Sequence, residues 1–408
     1  MRGTDRHQRE VPGPLALLGG HPTRPTLLPY AHQTIEPDDL AAVGEALTAD
    51  WITQGPIVAR FERALTERAG VRHAVAVANG TAALHAACWA AGLGPGDEAI
   101  TTPLTFAATA NAVVYQGARP VFADIDGATL NISSDAVKRL ATARTRALLP
   151  VDYAGLPCEY ERLLPLAREH GWIVIADAAH SFGGASSGRP VGVLADMTTL
   201  SFHPVKLITT GEGGAVLTNR DDLAERLRTM RHHGIRHPDL ARPWRYEISD
   251  LGNNYRLTEM QAALGLSQFG KLDRFWRQRD RLARRYRERL GGSHFVELPA
   301  SPDEKPTSET RHGWHLFVVM LRLERLTADR DQIVEAVRAE NIGVTVHYPL
   351  VYRHHFYAQR FGYTEGLCPA AEAVEPRLMT LPLFPAMTDS DQDDVLHALD
   401  KVFAHYAR

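Results

Sequence analysis

From residue 73 the chain alternates short apolar runs rich in small and β-branched residues with longer stretches whose apolar positions recur at helical spacing. The order is "HAVAVA", "TAALHAACWAAGL", "DEAITTP", "TFAATANAVVYQG" and "PVFADI". Runs of period two bounded by Pro, Gly and Asp predict strands, and the intervening periodic stretches predict helices. The alternation continues through "TRALLPVDY", the helical "EYERLLPLAREHG" and "WIVIAD". The last of these is almost wholly apolar, as expected of a strand covered on both faces. Two further strand-like runs, "DMTTLSF" and "GGAVLTN", flank a loop that carries Lys206. The pattern predicts an α/β fold, a mixed and mostly parallel sheet covered by helices.

The texture changes after residue 257. Residues 258–290 read as a long helical run interrupted by Gly265 and Gly270, with arginines crowding its second half. The arginine run is read as a solvated helix face rather than a nucleic-acid surface. Beyond it, "WHLFVVML" and "VTVHY" predict strands, "RDQIVEAVRAENIG" a helix, and the residues from about Asp389 a final helix. The expected organisation is a loose leader over 1–27, a large α/β domain over 28–270 and a smaller α+β domain over 271–408.

Composition narrows the partners. The 408 residues carry 45 Lys+Arg against 48 Asp+Glu, a formal charge of −3, so no global field recruits nucleic acid or an anionic membrane. The three cysteines, Cys88, Cys158 and Cys368, are too scattered for a disulfide framework or a metal set, and they point to the cytoplasm. No run approaches the ~20 apolar residues of a membrane span. A small-molecule partner is the expectation that charge leaves, and the cysteines offer no metal set.

Three places carry chemistry. "NGTAAL" at 79–84 follows a strand and opens a helix, so the first N–H groups and the Thr81 hydroxyl could cradle a phosphate; helix capping by Asn79 or Thr81 explains the same letters. Asp177 ends the strand "WIVIAD", where a carboxylate is costly to desolvate without a cation, although a helix cap is the plain alternative. Lys206 could be a surface cation, a phosphate clamp or an imine-forming nucleophile. The P-loop order G-x-x-x-x-G-K-[ST] is absent, as is the G-x-G-x-x-G of a dinucleotide fold. Imine chemistry requires an anion cradle, a carboxylate for a pyridinium nitrogen and an aromatic wall. Thr81 with Ala82, Asp177 and Phe106 supply one candidate for each.

Taken together, "WITQGP", "NGTAALHAA", "TTPLTFAATANAV", "PVFADID", "IADAAHSFGG", "SFHPVKLITTGEGGAV", "RHHGI" and "NNYRLTEMQAALGLSQ" resemble the sugar-nucleotide aminotransferases of the DegT/DnrJ type from about Leu28 onward. These are fold-type I pyridoxal 5'-phosphate (PLP) enzymes. The resemblance implies that Lys206 binds PLP covalently, that Asp177 pairs with its ring nitrogen, and that His180 and Phe106 lie against the ring. It implies a phosphate and cofactor shell of Gly80, Thr81, Ala82, Ser201 and His203, with Asn254 reaching in from the other protomer of a homodimer. Gln54, Gly55, Arg256, His347 and Tyr348 are the implied substrate residues. A ping-pong exchange between L-glutamate, by way of pyridoxamine 5'-phosphate, and a nucleotide-linked keto sugar is the implied reaction. "SFHPVKLITTGEGGAVLTN" and "VDYAGLPCEY" are most similar to members that aminate C4 of a UDP-linked 4-keto-6-deoxy-N-acetylhexosamine; dTDP-linked, GDP-linked or C3-keto sugars, or a keto-cyclitol, are the alternatives. "VHYPLVYRHHFY" departs from the family in carrying Val351 where many members have a histidine. A dehydrating branch has histidine in place of the lysine, and Lys206 argues against it. A non-catalytic regulator on the same fold would be expected to lose Asp177 or Lys206 first, and both are present.

Overall fold

The computed structural model describes residues 13–236, 242, 244–302 and 309–408. The apolar runs form one seven-stranded sheet: β1 His73–Val77, β2 Glu98–Thr101, β3 Arg119–Phe122, β4 Thr145–Leu149, β5 Ile173–Asp177, β6 Met197–Ser201 and β7 Gly214–Thr218. Their spatial order is β1-β7-β6-β5-β4-β2-β3. Strand β7 runs antiparallel to β1 and β6, and every other pairing is parallel. Alternation along β1 shows why both faces are covered. Ala74 and Ala76 pack into a cluster with Phe61, Leu65 and Ala262 from helices Pro56–Ala69 and Glu259–Phe269. Val75 and Val77 pack into another with Ala83, Ala112 and Leu227 from helices Gly80–Ala90, Ala108–Tyr115 and Asp221–Arg231.

Gly265 does not interrupt its helix, as the sequence suggested. A Cβ there would sit 2.8 Å from Thr210 Cγ2 and 2.9 Å from Phe61 Cε2, so the glycine lets the helix press onto the loop that follows Lys206. The break falls at Gly270, and helix Leu272–Leu290 then leaves the large sheet. Its Leu272 and Phe275 belong to the large core, whereas Leu282, Ala283, Tyr286 and Leu290 belong to the second. That second core is built on a three-stranded antiparallel sheet, β8 Val296–Glu297, β9 Phe317–Leu321 and β10 Leu378–Leu381. Helices Arg330–Ala339 and Asp389–Tyr406 cover it.

Three expectations need correction. "VTVHY" is not a strand: Thr345 touches Thr380 by a single bridge and the backbone then turns toward the large body, because His347 and Tyr348 are drawn into a cavity there. The arginine-rich helix is not wholly solvated, since Arg279 has no exposed surface at all. The leader is a packed segment from residue 13 on. Leu15 is buried in the second core, and Glu340 accepts from the N–H groups of Ala16 (2.8 Å) and Thr23 (2.9 Å). Residues 1–12 lie outside the described residues.

One buried carboxylate fastens helix Pro56–Ala69 to the sheet body. Gly55 caps that helix without a side chain, and Glu259, itself fully buried, accepts from the N–H groups of Gly55 (3.1 Å), Ile57 (2.6 Å) and Val58 (3.3 Å). A carboxylate in that place offsets both the orphaned donors and the positive helix end. Glu259→Ala should therefore cost about 2–4 kcal/mol, since it removes the shared acceptor of three half-buried donors and leaves a cavity in place of a fully buried side chain. Glu259→Gln should cost less. Urea unfolding of the two variants checks this, and a loss below about 1 kcal/mol in Glu259→Ala would mean that water replaces the cap.

Candidate active site

The C-terminal ends of β1, β5 and β6 lie side by side once β7 is inserted antiparallel between β1 and β6, and they open onto a cavity of about 710 Å³. Crevices at strand ends are where open α/β sheets bind ligands. Gly80, Thr81 and Ala82 reach it from the helix after β1, Asp177 and His180 from the end of β5 and the turn after it, Ser201 from the last position of β6, and His203 and Lys206 from the loop that follows. Phe106, His347 and Tyr348 complete the predicted set in the cavity wall. The sequence did not point to Tyr30, His85, Thr105, Tyr115, Glu212 and Tyr255, which line it too.

The helix Gly80–Ala90 begins at the cavity, so its first N–H groups lack partners within the helix. Asn79 takes one of them, accepting from Ala82 N–H at 2.8 Å, which leaves Gly80, Thr81 and the Thr81 hydroxyl as the better anion donors. Ser201 lies against Gly80.

Asp177 is buried with two donors, Thr109 Oγ1 at 2.7 Å and the Ala179 N–H at 3.2 Å. A carboxylate can accept about four hydrogen bonds, so capacity remains for a donor from the cavity. Burial holds its carboxyl above the usual range, opposed by Thr109, Ala179 and the charge of Lys206. Burial likewise pushes the Lys206 amine down to about 8, against the pull of Asp177 and with help from Arg279. The two opposite charges make no direct ion pair within 4 Å. Nζ instead lies 3.2 Å from His315 Nε2.

His315 is a residue the sequence did not single out. It packs 4.4 Å from the His180 ring, and both imidazoles are held well below their ordinary range by burial and by the nearby lysine. The Nδ1 atoms of both are buried without a partner. Tyr348 OH meets His180 Nε2 at 3.2 Å, His347 Nδ1 meets Thr380 Oγ1 at 2.9 Å, and Tyr153 OH donates to the His347 carbonyl. Gly155 makes this convergence possible. Its φ of +109° and the 2.8 Å separations of a would-be Cβ from His180 O and Trp314 N leave room for no side chain between the two histidine segments. Phe106 is 61% exposed and 6.1 Å from the Tyr348 ring, so it stands free to cover a flat ligand.

Four predicted residues lie elsewhere. Asn254 is exposed, pairs with His232 and does not line this cavity. Gln54, Gly55 and Arg256 line a second cavity of about 750 Å³, together with Arg228, Arg231 and Arg236. Arg256 Nη1 meets His232 Nδ1 at 2.8 Å there.

The donor set suits pyridoxal phosphate. A helix start with free N–H groups fits a phosphate, an under-filled buried carboxylate fits a protonated ring nitrogen, and a buried amine lowered toward neutrality fits an aldehyde. The orphaned Nδ1 of His180 offers one further contact.

The model of the DegT/DnrJ/EryC1/StrS aminotransferase family matches residues 33–400. The spore coat polysaccharide biosynthesis protein SpsC of Bacillus subtilis is 38% identical over 378 residues, 91% of this chain and 96% of that protein. Among solved structures, PseC of Helicobacter pylori, an aminotransferase involved in the biosynthesis of pseudoaminic acid, is 30% identical, with 93% of this chain and 100% of that chain covered and a TM-score of 0.87. The sugar aminotransferase Spr1654 of Streptococcus pneumoniae, described as putative and solved in its PMP-form, is 26% identical, with 93% and 99% covered and a TM-score of 0.87. With its lysine, carboxylate and phosphate cradle in one cavity, the chain belongs to the DegT/DnrJ/EryC1/StrS aminotransferase family and is a pyridoxal-phosphate-dependent transaminase.

Proposed function

We propose that the protein moves an amino group from L-glutamate to C4 of a nucleotide-linked 4-keto-6-deoxy sugar, a UDP-4-keto-6-deoxy-N-acetylhexosamine, in the cytoplasm. The observation that carries the reaction type is the placement of Lys206 and Asp177 in one cavity, both buried and not paired to each other. The cavity volume of about 710 Å³ leaves space for a sugar beside a cofactor, within the usual range of ligand pockets. The motif resemblance and the likeness to PseC support this sugar.

When bound, pyridoxal phosphate supplies an aldehyde that condenses with amines and a ring that accepts the electrons of a Cα–H bond. The chain does the rest. Lys206 is the nucleophile and, once released, the group that carries a proton between substrate carbon and cofactor carbon. Asp177 keeps the ring nitrogen protonated, and Gly80, Thr81 and Ser201 hold the phosphate. Ala82 is a weaker contributor because Asn79 already occupies its N–H. His180, steadied by Tyr348, and Phe106 flank the ring; His203 belongs to the cofactor shell, and His347 and Tyr348 face the substrate. Among the described residues no other lysine lines this cavity. Lys138 is exposed, Lys271 is tied to Asp38 (2.8 Å) and Asp39 (2.7 Å), Lys401 is tied to Glu340, and Lys305 lies outside the described residues.

We also propose a homodimer in which Asn254, with Gln54, Gly55 and Arg256, serves the partner's cavity. These residues sit at the surface, away from the chain's own Lys206. Exposed apolar side chains flank them, Trp51 and Ile52 on one side and Ile248 and Leu251 on the other, as an association surface would require.

Incubation with L-glutamate and a panel of UDP-, dTDP- and GDP-linked keto sugars, read by mass spectrometry, should show the amine on the UDP-linked 4-keto-6-deoxy-N-acetylhexosamine. Borohydride treatment should fix the cofactor on Lys206, and Lys206→Ala should lose at least ~10²–10⁴-fold in turnover. Amination of a different sugar overturns the substrate, and a label on Lys138 or Lys271 overturns the site. Asp177→Asn should lose far more rate than cofactor affinity, because a neutral amide no longer favours the protonated ring; near-normal turnover with cofactor bound would refute its role. Mixed dimers of Lys206→Ala and Asn254→Ala protomers should regain one intact site per dimer. No recovery in verified mixed dimers, with Asn254→Ala impaired on its own, would count against the shared site.

A further inference from the structure

Arg279 is a guanidinium with no exposed surface and no carboxylate partner among the described residues. A buried charge without a counter-ion is costly unless hydrogen bonds satisfy it. Here backbone carbonyls satisfy the two terminal nitrogens, while Nε is buried without a partner. Nη1 donates to Trp314 O (3.3 Å), His315 O (3.1 Å) and Leu383 O (2.8 Å), and Nη2 donates to Val205 O (3.3 Å). The acceptors are not random neighbours. Val205 precedes Lys206, and His315 is the residue whose Nε2 meets the lysine amine. A leucine or methionine would fill the same space in the apolar stripe of helix Leu272–Leu290 without that cost.

We propose that Arg279 and His315 are a positioning pair for Lys206: the guanidinium ties the lysine loop to the histidine strand, and His315 Nε2 accepts a hydrogen bond from the amine whenever it is released from the cofactor. This rests on the proton-carrying role proposed for Lys206. A released lysine has a long flexible stem, and a proton carrier must return to one place between turnovers. His315 supplies that place from the wall of the second core, and Arg279 fixes the wall. The imidazole suits the task because it stays uncharged, with burial, Lys206, His180, Arg279 and His347 all holding it so. With Nε2 accepting, the proton sits on Nδ1, which has no partner; a ring kept only for packing would not need to bury an orphaned donor. The fixed positive charge of Arg279 adds to burial in lowering the amine, which raises its free-base fraction, a known way of activating lysine. The groups that set the amine's ionisation are Asp177, which favours its charged form, and Arg279, which opposes it.

The test begins with the cofactor-free full-length protein, reductively methylated with formaldehyde and cyanoborohydride across a pH series and read by peptide mass spectrometry. Lys206 in the wild type should be half-reactive near pH 8, its reactivity rising with pH as the amine loses its proton. In Arg279→Met the midpoint should move up, so that at pH 8 Lys206 labels several-fold more slowly; Arg279→Lys, which keeps the charge, should stay near the wild type. An unmoved midpoint in folded Arg279→Met overturns the electrostatic part. The second arm follows the half-reaction with L-glutamate by cofactor absorbance. His315→Leu should bind cofactor fully and keep the donor's half-saturating concentration within about twofold, while its proton-transfer rate falls ~10–100-fold; His315→Gln, which retains an acceptor, should recover most of that loss. Unchanged transfer in His315→Leu overturns the positioning role, and it decides the matter if Arg279→Met is not recovered as folded protein. The labelling arm uses neither donor nor sugar. A wild type that labels as described but does not react with glutamate would therefore sink the proposed donor and leave the lysine's electrostatics standing.

Discussion

Taking an amine and a carboxylate out of water in one cavity, without letting them touch, is the constraint around which this molecule is arranged. A direct Lys206–Asp177 pair would relieve both desolvation costs at once. The fold prevents it by mounting the carboxylate rigidly on the last residue of β5 and the amine on the loop that leaves β6. Each charge is then compensated only in part. Asp177 has two donors and stays high; Lys206 has an imidazole and stays low. A group with a protonated nitrogen at one end and a carbonyl at the other would complete both, which is what the roles proposed for Asp177 and Lys206 require.

The second core is part of that arrangement. His315 comes from the segment leading into β9, Arg279 from the bridging helix, and His347 and Tyr348 from the chain between helix Arg330–Ala339 and β10. The cavity floor thus belongs to the large sheet and much of one wall to the smaller body. Helix Leu272–Leu290 holds the two in register because its apolar stripe starts in one core and ends in the other. The packed segment from residue 13, pinned by Glu340, adds to the smaller body from the far end of the chain.

What was legible in the sequence follows from how each element is stabilised. The strands of the large sheet are buried on both faces or alternate cleanly, so their composition announces them, and Lys206 and Asp177 stand out as charges at the ends of such runs. "VTVHY" has the same composition and is not a strand, because past the single Thr345–Thr380 bridge His347 and Tyr348 turn toward Tyr153 and His180, contacts that no local pattern encodes. Gly265 looked like a helix break because a close approach of Phe61 and Thr210 is a tertiary fact. Arg279 was hidden among exposed arginines. Its position was readable all the same: with Leu272, Phe275, Leu282, Ala283, Tyr286 and Leu290 it falls on the helix's apolar stripe, where a charge is anomalous.

The distribution of cations gives the proposed substrates their geometry. Glutamate carries two carboxylates and a nucleotide sugar a diphosphate, yet among the residues that line the Lys206 cavity none is an arginine. Its buried imidazoles do not serve instead, since burial holds His180 well below its ordinary range and His347 at about 4, leaving both neutral. The helix start near Thr81 suffices for one phosphate. The second cavity has the opposite character: Arg228, Arg231, Arg236 and Arg256 line it against Glu62, Glu225 and Glu247. Glu62 neutralises Arg231 and Glu225 neutralises Arg236, while Arg228 Nη2 lies 3.4 Å from His73 Nδ1 and Arg256 Nη1 lies 2.8 Å from His232 Nδ1. A formal charge of −3 therefore conceals a local excess of guanidinium beside Asn254. Each chain holds Lys206 in a cavity poor in cations and carries guanidinium groups in a second cavity that lacks a lysine, the division that the proposed shared-site homodimer would use.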